Sequence, residues 1–332
     1  AFNAGVLPAE LAQAEALLVL WRLTNSLSAE REKVRGRPEI RAGADFDFRV
    51  EDGVVTIQRR RRDAPLGRIV AEMAILANST WGRLLAEHRV PGLYRAQAMG
   101  KVRMTTHPSP HQGLGVPQYI WATSPLRRYA DLVNQFQLLA IVDGRPPPFG
   151  QNDASLFGIL SGFEARYAIV AEFQQTMERY WCLRWIGQHA EDQRQFDSVA
   201  VRDDTVRLFD APLYLQPSSC PPLARGIRLA VEVREGDELD LVVQARAVAG
   251  TIDVTPVREE LGDDSSGDDD GDGGAALAAG VVEPVTVPED MPADGAAVEV
   301  AEALAEGAEA APAADEDAGK AAADEDDGPE QH

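Results

Sequence analysis

Two arginines placed directly after a Ser-Pro pair are the residues of this chain whose types and spacing most suggest chemistry. In Ser124-Pro125-Leu126-Arg127-Arg128 the serine reads as a helix N-cap and the proline as the first helical residue. Both guanidiniums then fall in a first helical turn, where the positive end of the macrodipole disfavours cations. An anion docked at the helix N-terminus would account for them, and phosphate is the usual such anion. Asp131, four residues beyond Arg127, leaves a plainer role open, an i,i+4 ion pair on a solvated face. Glu72 is the second candidate. It lies at helical spacing from Ile69, Ile75 and Leu76, an odd place for a purely solvated carboxylate, and pairing with Arg68 is the alternative. His107 and His111 are also four apart. Pro108 and Pro110 between them prevent helical presentation, and no third ligand is in sight, so no metal role is assigned.

Helices must position most of these groups. Residues 8–33 have helical periodicity, with Leu11, Ala14, Leu18 and Trp21 on one face and Leu17, Leu20 and Leu23 beside them. Residues 46–60 read as a hairpin turning through Glu51–Gly53, with strands of about five residues. A helix over 66–88 follows, with Ile69, Val70, Met73, Ala77, Trp81, Leu84 and Leu85 as its apolar residues, stopped by Pro91-Gly92. Then come a strand-like LYRAQ, a Pro/His/Gly-rich loop from His107 to Pro117, and a third helix from Pro125 to about Asp143. The apolar face of that helix would be Leu126, Tyr129, Val133, Phe136 and Ala140. Residues 153–190 form a long amphipathic stretch whose aromatic residues read mainly as core. After Gln195 the period changes to two, and about five short strands suit a small barrel of the OB type.

Charge separates a body from a tail. Residues 259–332 carry 24 Asp and Glu against Lys320 alone, while residues 1–258 carry 30 acids against 31 Lys and Arg. The formal charge of −22 thus belongs to the tail, which has no Phe, Tyr or Trp and reads as disordered. Cys182 and Cys220, far apart and in no metal spacing, exclude a disulfide framework and suit a reducing cytoplasm. The apolar runs fall short of the ~18 consecutive residues a bilayer span requires, so no membrane partner is expected. The first residues lack an initiator Met and a basic region, and read as the interior of a longer chain rather than as a signal peptide.

The stretch PHQGLGVPQYIWATSPLRRYADLVNQFQ, residues 110–137, resembles the signature of the RNB domain, the catalytic domain of RNase II and RNase R exoribonucleases. The matching positions are His111, Gly113-Leu114-Gly115, Tyr119 and the run Thr123 to Asp131. RIVAEMAILAN at 68–78, followed by Leu93-Tyr94-Arg95, is similar to a glutamate-bearing helix and strand of that family. Residues 200–250 have the flavour of its C-terminal OB-fold appendage, where Arg202, Arg207, Arg225 and Arg228 could make electrostatic contact with RNA.

The resemblance implies an α+β fold. Residues 1–192 would be the helix-rich C-terminal part of an RNB catalytic domain, 196–257 a small OB-type β-barrel, and 258–332 a disordered acidic tail. It implies catalytic roles for Arg127 and Glu72, the first at the RNA phosphate near the scissile bond and the second near the 3′ nucleotide. Ser124, Arg127, Arg128, Tyr129 and His111 would be RNA-binding. The implied activity is hydrolytic 3′→5′ removal of nucleoside monophosphates from single-stranded RNA, with Mg2+ in the complete enzyme. The family's metal-binding aspartates precede anything resembling residue 1, and Trp121-Ala122 stands where RNase R-like members often have His-Phe. The chain is therefore expected to be inactive alone, and its partner would be the missing N-terminal half of the same polypeptide. The alternative is a non-catalytic RNA-binding module or scaffold built on an RNB remnant. Monomeric behaviour is expected in either case. Because the tail repels RNA, deleting residues 260–332 should leave the melting temperature almost unchanged and tighten RNA binding at low salt. A large fall in melting temperature would show instead that the tail packs on the body.

Overall fold

The computed structural model describes residues 11–38, 44–61, 64–98 and 101–253, together with Phe2, Gly5, Leu7 and Pro8. The acidic tail read from composition lies outside the described residues.

The first helix, α1, runs Ala14–Arg35 and ends where Gly36 takes a left-handed φ of 73° and donates its N–H to the Glu32 carbonyl. Its buried stripe is Trp21, Thr24, Ser28 and Arg31, at helical spacing but mostly polar. The apolar face expected from Leu11 and Leu23 is corrected, for both are exposed. The hairpin forms as expected but longer. Strands β1 (Ala44–Glu51) and β2 (Val54–Arg61) pair over eight residues each, joined by Asp52-Gly53. Both loop residues have positive φ, 50° and 79°, the conformation a two-residue turn needs to match strand twist.

Helix α2 covers Pro65–Glu87 and buries Ile69, Glu72, Ile75, Asn78, Gly82 and Leu85. Val70 and Trp81, assigned to its apolar face from the sequence, are exposed. Strand β3 (Tyr94–Ala98) pairs with β4 (Lys101–Thr105), which the sequence reading left unassigned. Helix α3 spans Tyr129–Val142, so the expected start at Pro125 is also corrected. Helix α4 is 34 residues long, Ala154–Gly187, and its N-cap Asp153 accepts the Ser155 N–H at 2.8 Å.

The last strands are β5 (Gln195–Arg202), β6 (Thr205–Leu208), β7 (Tyr214–Leu215), β8 (Arg228–Asp237) and β9 (Val242–Ala247). They form one antiparallel sheet in the order β7-β6-β5-β8-β9, with register shifts between Ala200 and Arg202 and between Val233 and Glu235. Such irregularities bend strands and let a sheet curl. The α+β class and the curled sheet accord with the expectation.

The sheet does not pack alone. Cys182, Leu183 and Ile186 from the end of α4 enter its core beside Leu208, Leu213, Leu229 and Val231, and Phe48 and Ile57 of the hairpin pack against the same cluster. Gln188, just past α4, accepts the Val55 N–H at 2.7 Å and donates to the Val55 carbonyl at 2.9 Å, joining the hairpin to this helix end. Burial pushes the Cys182 thiol far up, which keeps it protonated and unreactive. By length and composition α4 could also cross a bilayer, a point the count of consecutive apolar residues missed. Its last turns are instead built into the sheet core.

Glu178 on α4 is a carboxylate in a poor place. Burial raises its pKa from 4.5 to about 7. The folded chain therefore holds a proton that the unfolded chain releases between those values. The stability this group contributes is full below about pH 4.5 and is lost as pH rises through about 7. Glu178→Gln should melt close to the parent at pH 4.5 and above it at pH 8. Equal melting temperatures at pH 8 would show that the carboxyl is solvated.

Candidate nucleic-acid interface

The segment from Pro110 to Ser124 is laid against β3 and α2 by backbone bonds that depend on particular side chains. The Arg95 N–H bonds the Tyr119 carbonyl at 2.8 Å and the Gln97 N–H bonds the Pro110 carbonyl at 3.1 Å. Gln97 Oε1 also accepts the Gly113 N–H at 2.6 Å, so close that a Cβ at residue 113 would collide with the amide. Gly115 has φ +68°, and a Cβ there would strike the Arg31 carbonyl. Gly115 is thus required by its left-handed backbone and its close approach to Arg31, while a side chain at Gly113 would have to displace the Gln97 amide.

Two clusters grow from this segment. In the first, Glu72 is buried and paired with the Arg31 guanidinium through both carboxylate oxygens, one of them at 3.2 Å. Arg31 Nη1 donates to the Leu114 carbonyl at 2.6 Å, and the Leu114 N–H bonds Nδ1 of buried His111 at 3.2 Å. His111 in turn meets the edge of Tyr119. Arg68, offered by the sequence as the Glu72 partner, lies over Trp21 and bonds Asn25 at 3.2 Å. That pairing is corrected to Arg31, which sequence reasoning missed. Its only signal was the spacing of Trp21, Thr24, Ser28 and Arg31 along one helix face. A cleft of about 140 Å³ bordered by Arg31, Glu72, Ser79 and Thr80 opens beside the pair.

The second cluster surrounds Trp121. Asn78 on α2 donates to the Tyr119 hydroxyl at 3.2 Å and accepts the Ala122 N–H at 3.1 Å. Asn134 on α3 donates to the carbonyls of Trp121 at 2.8 Å and Leu93 at 2.9 Å. The buried Trp121 ring carries the Arg95 guanidinium 3.8 Å from its centroid and that of Arg128 at 4.2 Å. Each such contact contributes on the order of 0.5–2 kcal/mol when desolvated. Phe163 and Tyr167 of α4 meet the same ring, with centroids 6.4 and 5.7 Å away.

Ser124 to Arg128 form a turn that precedes α3. The Ser124 carbonyl accepts N–H groups from Arg127 at 3.2 Å and Arg128 at 3.1 Å. Leu126 and Arg127 at the apex are exposed, whereas Arg128 is buried. Asp131 forms its ion pair with Arg128 at 2.8 Å, not with Arg127 as the i,i+4 reading supposed. Tyr129, the first residue of α3, is partly exposed, and burial raises its phenol pKa.

Of the sequence candidates, Ser124, Arg127, Arg128 and Tyr129 are thus brought together on one turn, with Arg127 outward and Arg128 inward. Glu72 and His111 belong to the other, buried cluster. In the sheet, the Phe209 ring is occupied by Arg59 at 4.0 Å and approached by Arg228 at 5.5 Å.

Magnesium requires several hard oxygen ligands in near-octahedral array. Among the described residues no three His, Cys, Asp or Glu side chains converge. The two most buried carboxylates, Glu72 and Asp131, already hold arginines. The described residues therefore do not fit a magnesium centre.

The RNB domain family matches residues 96–144, which include the Gly-Leu-Gly loop, the Arg127 turn and α3. An uncharacterized ribonuclease of Synechocystis sp. is 29% identical over 203 residues, covering 51% of this chain and 30% of that protein. The mitochondrial exoribonuclease II of Saccharomyces cerevisiae is 26% identical over 171 residues, 40% of this chain and 17% of that one. The chain therefore spans less than a third of the length of these relatives. Among solved structures, the Dss1 exoribonuclease of Candida glabrata shares the fold with a TM-score of 0.59 at 19% identity, over 73% of this chain and 36% of that one. RNase R of Mycoplasma genitalium, solved with double-stranded RNA, gives 0.55 at 15% identity, over 74% and 53%. In sequence the chain is similar to RNase II-type exoribonucleases and matches the RNB domain over residues 96–144, and it shares its fold with exoribonucleases of the Dss1 and RNase R type.

Proposed function

We propose that this chain is the phosphate-gripping C-terminal portion of a hydrolytic 3′→5′ exoribonuclease that acts on single-stranded RNA and releases nucleoside monophosphates. The carrying observation is the outward arginine of the RNB-matched segment, Arg127, at the apex of a turn held from beneath by buried groups. A guanidinium there can meet a phosphate with its planar fork. In the complete enzyme it would neutralise charge that develops on the phosphate as the bond to the 3′-terminal nucleotide is cleaved. Residues 1–192 and 196–257 are proposed as the catalytic portion and an OB-type appendage. Mg2+ would be supplied by sequence outside this chain, and the site of action would be a reducing cytoplasm. The second reading, an RNA-binding module that does not cut, is favoured by one observation: the buried carboxylates Glu72 and Asp131 are engaged with arginines.

The chain incubated with end-labelled oligouridylate and Mg2+ is expected to bind the RNA in a salt-dependent manner and to release no nucleoside monophosphate. Monophosphate release would overturn the incompleteness of the chain. Binding that ignores salt would overturn the phosphate grip. The two readings separate when this chain is joined to the remaining half of an RNB domain from a relative. Restored digestion from the 3′ end supports the enzyme portion, and continued inactivity with intact binding supports the module.

A further inference from the structure

Asp131 holds both ends of the turn that carries Arg127. Its Oδ1 accepts the Ser124 N–H at 2.7 Å and Nη2 of Arg128 at 2.8 Å. The carboxylate is wholly buried and Arg128 is 6% exposed, so this pair cannot be an ordinary surface contact. Arg128 is pressed in turn on the Trp121 ring, whose own position is fixed by Asn78 and Asn134 through the flanking backbone. Residues 124 and 128 are therefore pinned to one carboxylate and one indole, while Leu126 and Arg127 project between them.

A buried ion pair is a poor source of net stability, because desolvation of two charges offsets most of their attraction. What this one supplies is shape. Two-point recognition of a phosphate requires the guanidinium plane to be aimed before the RNA arrives, since orientation lost in the free protein must be recovered on binding. We propose that Asp131, acting through Arg128 and Trp121, is a positioning residue that sets the direction in which Arg127 meets an RNA phosphate, and that Arg128 acts from beneath the turn rather than as a phosphate ligand. The inference rests on the phosphate-grip reading given under Proposed function.

The sign of one measurement separates it from plain electrostatics. Asp131→Asn removes a negative charge close to an RNA-binding turn, so charge alone predicts tighter binding. Positioning predicts weaker binding. The probe is a fluorescein-labelled oligouridylate of about 12 nucleotides, within the usual range of single-strand site sizes, titrated with the full chain at several salt concentrations. Asp131→Asn is expected to weaken binding about 10-fold and to lower the salt slope by about one phosphate contact, as Arg127→Ala does. In the double variant the losses should not add, since both remove one contact. Arg128→Lys, which keeps the charge but loses the fork and the flat face over Trp121, should weaken binding likewise and decides the matter if Asp131→Asn does not fold.

Unchanged or tighter binding by Asp131→Asn and Arg128→Lys, with Arg127→Ala still weakened, overturns the positioning role and leaves the phosphate grip standing. Additive losses in the double variant overturn it too, because they place Asp131 outside the Arg127 contact. No loss in Arg127→Ala overturns the phosphate grip, and this inference with it.

Discussion

Glu72→Ala is expected to destabilise the chain by about 3–5 kcal/mol, the usual result of removing one partner from a buried ion pair. Arg31 would lose its buried carboxylate partner while still bound to the Leu114 carbonyl. For a folded body of this size the loss corresponds to a fall of roughly 10 °C in melting temperature. Arg31→Met together with Glu72→Leu should recover much of it, since a well-packed apolar pair often replaces a buried ion pair without loss. Thermal melts of the two single variants and the double variant provide the measurement. The experiment also assigns the role of Glu72. A structural carboxylate gives the large fall and the recovery. A carboxylate that works at the RNA would leave melting within about 1 °C, as expected for a site that contributes no buried contact, and lower RNA affinity instead.

Arg127→Lys should lower turnover about 100-fold in an enzyme that joins this chain to the rest of an RNB domain, the scale set by loss of one preorganised donor to developing charge. Lysine keeps the charge but not the planar fork. Stability should scarcely change, because Arg127 is exposed and the substitution keeps its charge. Turnover and melting temperature should be measured on Arg127→Lys beside Asp131→Asn. Normal turnover in Arg127→Lys, with both variants losing stability in parallel, would make the turn a purely structural feature.

The contrast between Arg127 and Arg128 was not legible in the sequence. Adjacent arginines in a Ser-Pro-Leu-Arg-Arg run have the same local preferences, and the run even favours a helix start at Pro125. The structure begins α3 four residues later, where Asp131 takes the Ser124 N–H and the Arg128 guanidinium, with Trp121 underneath that guanidinium. Glu72 was legible as an unusual carboxylate, since its neighbours at helical spacing are apolar. Its partner was not, because Arg31 is 41 residues away on another helix.

By itself the sequence determined the elements whose signals are local. The hairpin at Asp52-Gly53 follows from turn chemistry, α2 and α4 from helical periodicity, and the final sheet from the change to period two after Gln195. The RNB resemblance was likewise carried by a contiguous run of residues. Tertiary structure decided which faces those elements bury. On α3 the buried stripe includes Asp131, Asn134 and Gln137, and on α1 it includes Thr24, Ser28 and Arg31, all of which a search for apolar periodicity passes over. They can be buried because distant backbone and side-chain groups satisfy most of them. Asn134 bonds Leu93 and Trp121, Gln137 bonds Pro91 and Phe149, and Arg31 bonds Glu72 and Leu114. Burying a polar group is costly without such partners, and here those partners come from segments far away in the chain.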